Sequence, residues 1–180
     1  NASCRELGLD VTTSVDEGLV DYLCPSLFLA SLPGMPLTRE FAELALMEES
    51  SARLLADFLE AEGFTVERGV ADMPTAFVAT FGSGRPIIGI LAEYDALPGI
   101  GNAAVPRREP RADGYPHGHG CGHNVFGAAS AAAAVALKRT MEAHGLTGTI
   151  RLYGAPAEET VVGKVYMAKA GLFDELDATL

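Results

Sequence analysis

The segment PIIGILAEYD (residues 86–95) carries the strongest fold signal in the chain. It is short, rich in Ile and almost wholly apolar until it reaches its carboxylates, which is typical of a β-strand buried on both faces. The preceding run TAFVATFG (75–82) has the same character and predicts another strand. Because the turn GSGR between them is short, the two strands are expected to form a hairpin, that is, an antiparallel pair.

The sequence before this pair predicts a long amphipathic helix over residues 38–63. Thr38 is its expected N-cap, Gly63 its expected end, and the helix can break near residues 48–51. Its apolar face is predicted to consist of Phe41, Leu44, Leu54, Leu55, Phe58 and Leu59.

The sequence after the pair alternates between loop, helix and strand. A long loop, 97–122, leads to an alanine-rich helix that Asn124 is expected to cap and Gly145 to end. Residues 148–156 (GTIRLYGAP) predict a third strand. They are followed by a short helix (163–173) and by LDATL (176–180), the start of a further strand. The fold class is therefore α/β, a mixed β-sheet flanked by helices.

Composition limits the partners that the protein can have. The 180 residues include 24 acidic and 13 basic side chains, for a net charge of −11, so a nucleic-acid partner is not expected. The early apolar stretch 18–36 contains Asp21, Pro25 and Pro33 and is too short to span a bilayer, so no membrane association is expected. The odd number of cysteines favours a reducing cytoplasm over a disulfide framework. Residues 1–37 are an N-terminal arm without an assigned role.

The stretch HGHGCGHNVFG (117–127) holds three of the four histidines and one of the three cysteines. In an extended or tightly turned segment beside Gly120 and Gly122, Cys121 and His123 can converge on one ion, and thiolate with imidazole is a natural zinc pair. The N-terminus of the following helix is expected to favour the Cys121 thiolate. The alternative is a glycine-rich turn whose histidines face solvent.

Carboxylates follow two of the predicted strands. Glu158 and Glu159 come after the third strand, where one can bind a metal while the other handles protons, although such pairs are usually solvated. Glu93 and Asp95 share one face at the end of the second strand, and they either reach solvent or serve a site. Because ligands in such sheets lie outside the carboxyl ends of strands, one cleft is expected to collect these groups with the Cys-Gly-His segment.

Three motifs, AEYDALPGIG (92–101), GHGCGHNVFGAAS (118–130) and YGAPAEET with GKVYMAKAGLFDELDA (153–178), resemble a known family. They are similar to the amidohydrolase branch of the aminoacylase and carboxypeptidase clan of metallopeptidases. Within it, the likeness is greatest to the aminobenzoyl-glutamate hydrolase type, with auxin-conjugate and N-acyl amino acid hydrolases as relatives. The resemblance covers roughly residues 38–180, with the motifs in the family's order.

The resemblance implies a zinc-exopeptidase-like catalytic domain with two divalent metal ions, zinc or manganese. It makes Cys121, His123 and Glu159 metal ligands and Glu158 the general base, with Asp95 a catalytic residue that supports the metal site. Many relatives have a metal-binding His at the position of Glu93, whereas this branch is distinguished by its Cys-Gly-His ligands. The implied reaction is hydrolysis of the amide bond of an N-acyl amino acid or dipeptide-like substrate by a metal-activated water.

Relatives also supply two further His ligands downstream and insert a lid or dimerisation domain between them. No His follows His144 in this chain. We therefore expect residues 38–180 to be the N-terminal part of a catalytic domain that is inactive alone and forms a homodimer through the absent lid. One alternative is a non-catalytic metal-binding or scaffold domain of the same fold, which would have no use for a base at Glu158. Another is a cysteine hydrolase with Cys121 as nucleophile, for which no third orienting residue is evident.

Overall fold

A five-stranded mixed sheet organises residues 42–103 and 105–180, the part of the chain that the computed structural model describes. The strands are β1 (Thr65–Arg68), β2 (Phe77–Ser83), β3 (Ile87–Glu93), β4 (Gly148–Ala155) and β5 (Ala178–Thr179). β4 is central, because it pairs antiparallel with β2 and parallel with β3, and β3 also pairs parallel with β5. In space the order is β1-β2-β4-β3-β5. The predicted mixed α/β sheet is confirmed.

The sheet is buried on both faces by helices and turns. Alternate residues of β4 point to opposite sides: Ile150 and Leu152 join one apolar cluster, and Tyr153 and Ala155 join the other. The described helices are α1 (Glu49–Ala61), α2 (His123–His144), α3 (Gly163–Lys169) and the 3₁₀ turns Val70–Asp72 and Glu158–Thr160. The first cluster contains the apolar faces of α1 and α2, and the second contains Met167 of α3.

The predicted hairpin between β2 and β3 is wrong, because β4 lies between these two strands. β4 pairs with each of them along its length. At the start of β4, Thr149 donates hydrogen bonds to the carbonyls of Pro86 and Gly84, which lie in the connection between β2 and β3. Both apolar strands thus obtain a complete hydrogen-bond ladder on the same partner. A short connection can join adjacent strands or strands separated by one, so turn length alone does not distinguish these arrangements.

Two predicted helix starts also need correction. Residues 42–48 are not helical, Leu46 has a positive φ of 62°, and α1 begins at Glu49. Leu44 is therefore not on the helix face. The predicted cap Thr38, with Phe41 and the arm 1–37, lies outside the described residues. The second helix begins one residue before Asn124, with Gly122 at the cap position, and ends at Gly145 as predicted.

Among residues 42–103 and 105–180, the helices are all too short or too polar to cross a bilayer.

Candidate metal centre at the ends of β3 and β4

The imidazole of His123 lies at the centre of a cluster of carboxylates. This residue is the first of α2 and only 4% exposed. Its Nδ1 lies 3.0 Å from Asp95 Oδ1, and its Nε2 lies 3.2 Å from Glu93 Oε2 and 3.5 Å from Glu158 Oε2. Nδ1 is therefore the ring nitrogen that faces Asp95, and Nε2 is the one that faces Glu93 and Glu158 on the other side of the ring.

The topology explains why these groups meet. β3 and β4 are parallel neighbours, so Glu93 at the end of one strand and the turn after the other open at the same edge of the sheet. α2 starts at this edge and approaches closely, since a Cβ at Gly127 would lie 2.5 Å from the carbonyl oxygen of Glu93. Only glycine permits that distance, and it sets the depth at which His123 enters the site.

Asp95 joins the helix to the turn after β4. Its side chain is buried, one oxygen faces His123, and the other accepts a hydrogen bond of 2.9 Å from the backbone N–H of Glu159. A carboxylate behind an imidazole in this way fixes the orientation and tautomer of the ring, which is how many metal-binding histidines are held.

The donor atoms fall into two groups that share His123. Cys121, His123 and Glu159 form one group, and Glu93, His123 and Glu158 form the other; within each group the atoms lie within 4.8 Å of one another. Glu159 Oε1 is buried and has no hydrogen-bond partner among the described residues. An orphaned carboxylate oxygen beside thiol and imidazole donors, in a cluster of acids, fits a divalent cation. The structure thus brings the predicted residues together.

The predicted preference of Cys121 for the thiolate form is wrong for the metal-free protein. Partial desolvation, together with the carboxylates of Glu159, Glu158 and Glu93, raises the pKa of the Cys121 thiol above its ordinary value. A cation bound beside these carboxylates would offset their charge and favour the thiolate.

The region around this cluster matches known proteins. Residues 89–180 match Peptidase family M20/M25/M40 over about half of the chain. The chain belongs to this family. It is 48% identical over 130 residues to one of the subunits of p-aminobenzoyl-glutamate hydrolase from Escherichia coli, covering 72% of this chain and 27% of that protein. It is 34% identical to the human Xaa-Arg dipeptidase, covering 75% and 31%. The chain thus spans about a third or less of these relatives.

A solved structure supports the fold assignment. The M20 family peptidase from Bacillus subtilis, described as dinuclear and metal-binding, superposes with a TM-score of 0.65 and 26% identity, over 78% of this chain and 38% of that one. The resemblance expected from the sequence motifs is confirmed. The catalytic-domain fold, represented here by part of its length, is confirmed as well.

Two residues in or behind this cluster were not among the predicted site residues. Lys164, in the first turn of α3, contacts Glu93 Oε1 and offsets part of the negative charge. Glu48, which precedes the region matched to the M20 family, is fully buried beneath the turn that carries Glu158 and Glu159. For Lys164 the available signal was its place within the third motif. For Glu48 it was a carboxylate directly after the apolar run LALM.

Proposed function

We propose that the full-length protein is a metal-dependent amidohydrolase that cleaves the amide bond of an N-acyl amino acid or dipeptide-like substrate. Residues 38–180 are the N-terminal part of its catalytic domain. The observation that supports this proposal is the convergence of thiol, imidazole and carboxylate donors at one sheet edge. The name of the Escherichia coli relative supports an acyl-amino acid substrate in particular.

Two divalent ions, zinc or manganese, are the cofactors in this proposal. Cys121, His123 and Glu159 hold one, and Glu93 lies on the other side of the His123 ring, beside the place of the second. Ions in this position supply Lewis acidity, which polarises the scissile carbonyl and lowers the pKa of water. Asp95 acts as a positioning residue, because it holds the His123 ring through Nδ1.

Glu158 is the general base. Its side chain is 35% exposed, against 18% for Glu159, so it can reach a water and substrate from the open side of the site. It takes a proton from the attacking water and later delivers a proton to the nitrogen of the leaving amine. The neighbouring Glu159 faces inward, where its buried oxygen suits a ligand.

The alternatives predict a different arrangement. A cysteine hydrolase needs an activated thiolate, whereas partial desolvation and the carboxylates around Cys121 raise the pKa of its thiol. A purely structural metal site has no use for the half-buried carboxylate of Glu158 as a base. The homodimer and the cytoplasmic location remain expectations of the proposal. The Escherichia coli relative is named as one component of a hydrolase, which supports an assembly of chains in that protein.

The experiment compares metal content and hydrolysis in the full-length protein and two variants. Wild type is expected to hold zinc or manganese, and Cys121→Ser to lose most of it. Glu158→Gln is expected to keep metal while hydrolysis of acyl-amino acids falls by about 10²-fold or more, because only the proton transfer is removed. Elemental analysis and a ninhydrin assay of released amine give the two readouts.

Cys24→Ser is the matched control, since it removes a thiol of the predicted N-terminal arm. It should keep both metal and activity. Unchanged metal in Cys121→Ser would refute the ligand assignment, and full hydrolysis by Glu158→Gln would refute the assigned base.

A further inference from the structure

A non-helical segment before α1, residues 42–48, ties several loops of the site together; we call it the clasp. The Ala42 carbonyl accepts a hydrogen bond of 3.2 Å from the hydroxyl of Tyr115, and the Glu43 carbonyl accepts one of 2.8 Å from the N–H of Ala96. The Glu43 carboxylate accepts from the backbone N–H groups of Ser50 and Ser51, so it caps α1 from a distance. These contacts fix the clasp to the segment that follows β3 and to the start of α1.

Glu48 ends the clasp with a carboxylate that is 0% exposed. Oε1 accepts a hydrogen bond of 2.8 Å from the Ala157 N–H, and Oε2 accepts one of 3.0 Å from the Thr75 hydroxyl. Burial raises the pKa of Glu48 above its ordinary value, although these hydrogen bonds act in the opposite direction. Burying a carboxylate is costly, and an apolar side chain would fill the same space without that cost.

The residue that Glu48 holds has an unusual backbone. Ala157 has a φ of 58°, a left-handed conformation that is unfavourable for a residue with a Cβ. This conformation turns the chain from β4 into the Glu158–Thr160 turn and so sets where the next two carboxylates lie. Strained backbone of this kind persists only where surrounding contacts hold it.

The same network reaches the other carboxylate-bearing strand end. The Tyr94 hydroxyl donates a hydrogen bond of 2.5 Å to the Thr75 carbonyl, and Tyr94 directly precedes Asp95. Glu48 and Thr75 therefore stand behind both Asp95 and the turn that carries Glu158 and Glu159. None of the contacts of Glu48 reaches the proposed metal donors directly.

We propose that Glu48 is a positioning residue, which holds Ala157 so that Glu158 and Glu159 face the metal centre. The inference rests on the proposed function, because it concerns the affinity of that same site. The positioning role requires a side-chain acceptor for the Ala157 N–H at residue 48, and a glutamine at this position also provides one. A glutamine amide can at the same time donate to the Thr75 hydroxyl, since a hydroxyl is also an acceptor.

The test measures zinc affinity of the full-length protein by competition with a chromophoric chelator. Glu48→Ala should bind zinc about tenfold to a hundredfold more weakly, the usual range when a group behind a ligand is removed. Glu48→Gln should bind close to wild type. The amide hydrogen of Ala157, followed by exchange, should be lost faster in Glu48→Ala than in Glu48→Gln.

Thr149→Val is the matched control for general destabilisation. Thr149 is also buried and loses one side-chain hydrogen bond, to the carbonyl of Gly84, but it lies at the opposite end of β4. This variant should have a lower unfolding temperature with zinc affinity close to wild type. Glu48→Met, which fills the volume without an acceptor, replaces the alanine variant if that does not fold.

Weak zinc binding by Glu48→Ala or Glu48→Met, with recovery in Glu48→Gln, supports the positioning role. Wild-type affinity in these apolar variants, or the same loss in Thr149→Val, overturns it while the metal site itself stands. If wild type and Cys121→Ser bind zinc equally, the proposed function fails, and the inference built on it fails with it.

Discussion

His123 and Cys121 show how neighbouring charges decide what a side chain can do. His123 is surrounded by Asp95, Glu93 and Glu158, with Lys164 as the near cation that contacts this group. Partial desolvation and the same acidic surroundings raise the pKa of the Cys121 thiol in the metal-free protein. Both side chains therefore suit a site that is completed by positive charge rather than one that provides a nucleophile.

The pH dependence of Cys121 alkylation tests this electrostatic environment. Because the thiolate is the reactive form and its pKa is raised above the ordinary value, alkylation of the metal-free protein should be slow at neutral pH and accelerate as the pH rises through that raised value. Glu159→Gln removes a negative neighbour, so it should lower the pKa and speed the reaction at a fixed pH. Mass spectrometry of the Cys121 peptide separates its reaction from that of Cys4 and Cys24.

Bound zinc should protect Cys121 in wild type. Equal alkylation rates with and without zinc would contradict its assignment as a ligand. A rate that plateaus near neutral pH would instead indicate an activated nucleophile.

At the scale of elements, the approach of α2 to β3 decides where its first residue lies. Gly127 is one turn into the helix, against the backbone of Glu93 and beside the side chain of Leu55. Ala131, Ala134 and Val135 of α2 belong to the larger apolar cluster, and their packing holds the helix close to the strand. A change at Gly127 should therefore move the helix end that carries the imidazole.

Gly127→Ala should destabilise the protein by about 1–3 kcal/mol, because its Cβ would overlap the Glu93 carbonyl and neither backbone can yield easily. It should also weaken zinc binding by displacing His123. Chemical denaturation and chelator competition give the two numbers. Ala129→Ser, which adds one atom on the exposed side of the same helix, is the control and should change neither.

A Gly127→Ala protein with wild-type zinc affinity would show that α2 tolerates the shift without moving His123. In that case the close approach of α2 to β3 would contribute to packing and not to the placement of His123.

For the whole molecule, the metal centre concentrates negative charge in a chain that is already strongly acidic, with a net charge of −11. Its carboxylates form two pairs, Glu93 with Asp95 and Glu158 with Glu159, that are far apart in sequence, so the pairs come close enough to repel each other only when the chain is folded. A cation bound there stabilises the folded state selectively. Folding and metal binding should therefore be coupled.

The unfolding temperature of the metal-free protein should rise with zinc or manganese concentration. Free metal at about a hundred times its dissociation constant adds roughly 2.7 kcal/mol to the free energy of unfolding. Magnesium should have a smaller effect, because it prefers an octahedron of oxygen ligands over thiolate and imidazole. Thermal unfolding followed by circular dichroism measures the shift, and Cys121→Ser should largely abolish it.

Equal stabilisation of wild type and Cys121→Ser by zinc would place the binding elsewhere on the acidic surface. Stabilisation by magnesium as strong as by zinc would indicate a site made of carboxylates alone.

Features set by local sequence signals could be predicted from the sequence, whereas features set by contacts between distant residues could not. Strand and helix identities, the α/β class and the convergence of Cys121, His123 and Glu159 were predictable, because apolar periodicity and motif order are local signals. The neighbour of β2 was not, since the insertion of β4 depends on pairing across about half of the described chain. Glu48 was missed because its role arises from two hydrogen bonds to residues distant in sequence.

The position of β4 between β2 and β3 has a kinetic consequence. During synthesis, β2 and β3 leave the ribosome before the strand that separates them, and their local sequence favours a hairpin with each other. The native sheet forms only when β4 has been made and inserted between them, so we expect both ladders to be completed late in folding, and the rate of folding to be limited by this long-range pairing. Stopped-flow refolding measures that rate.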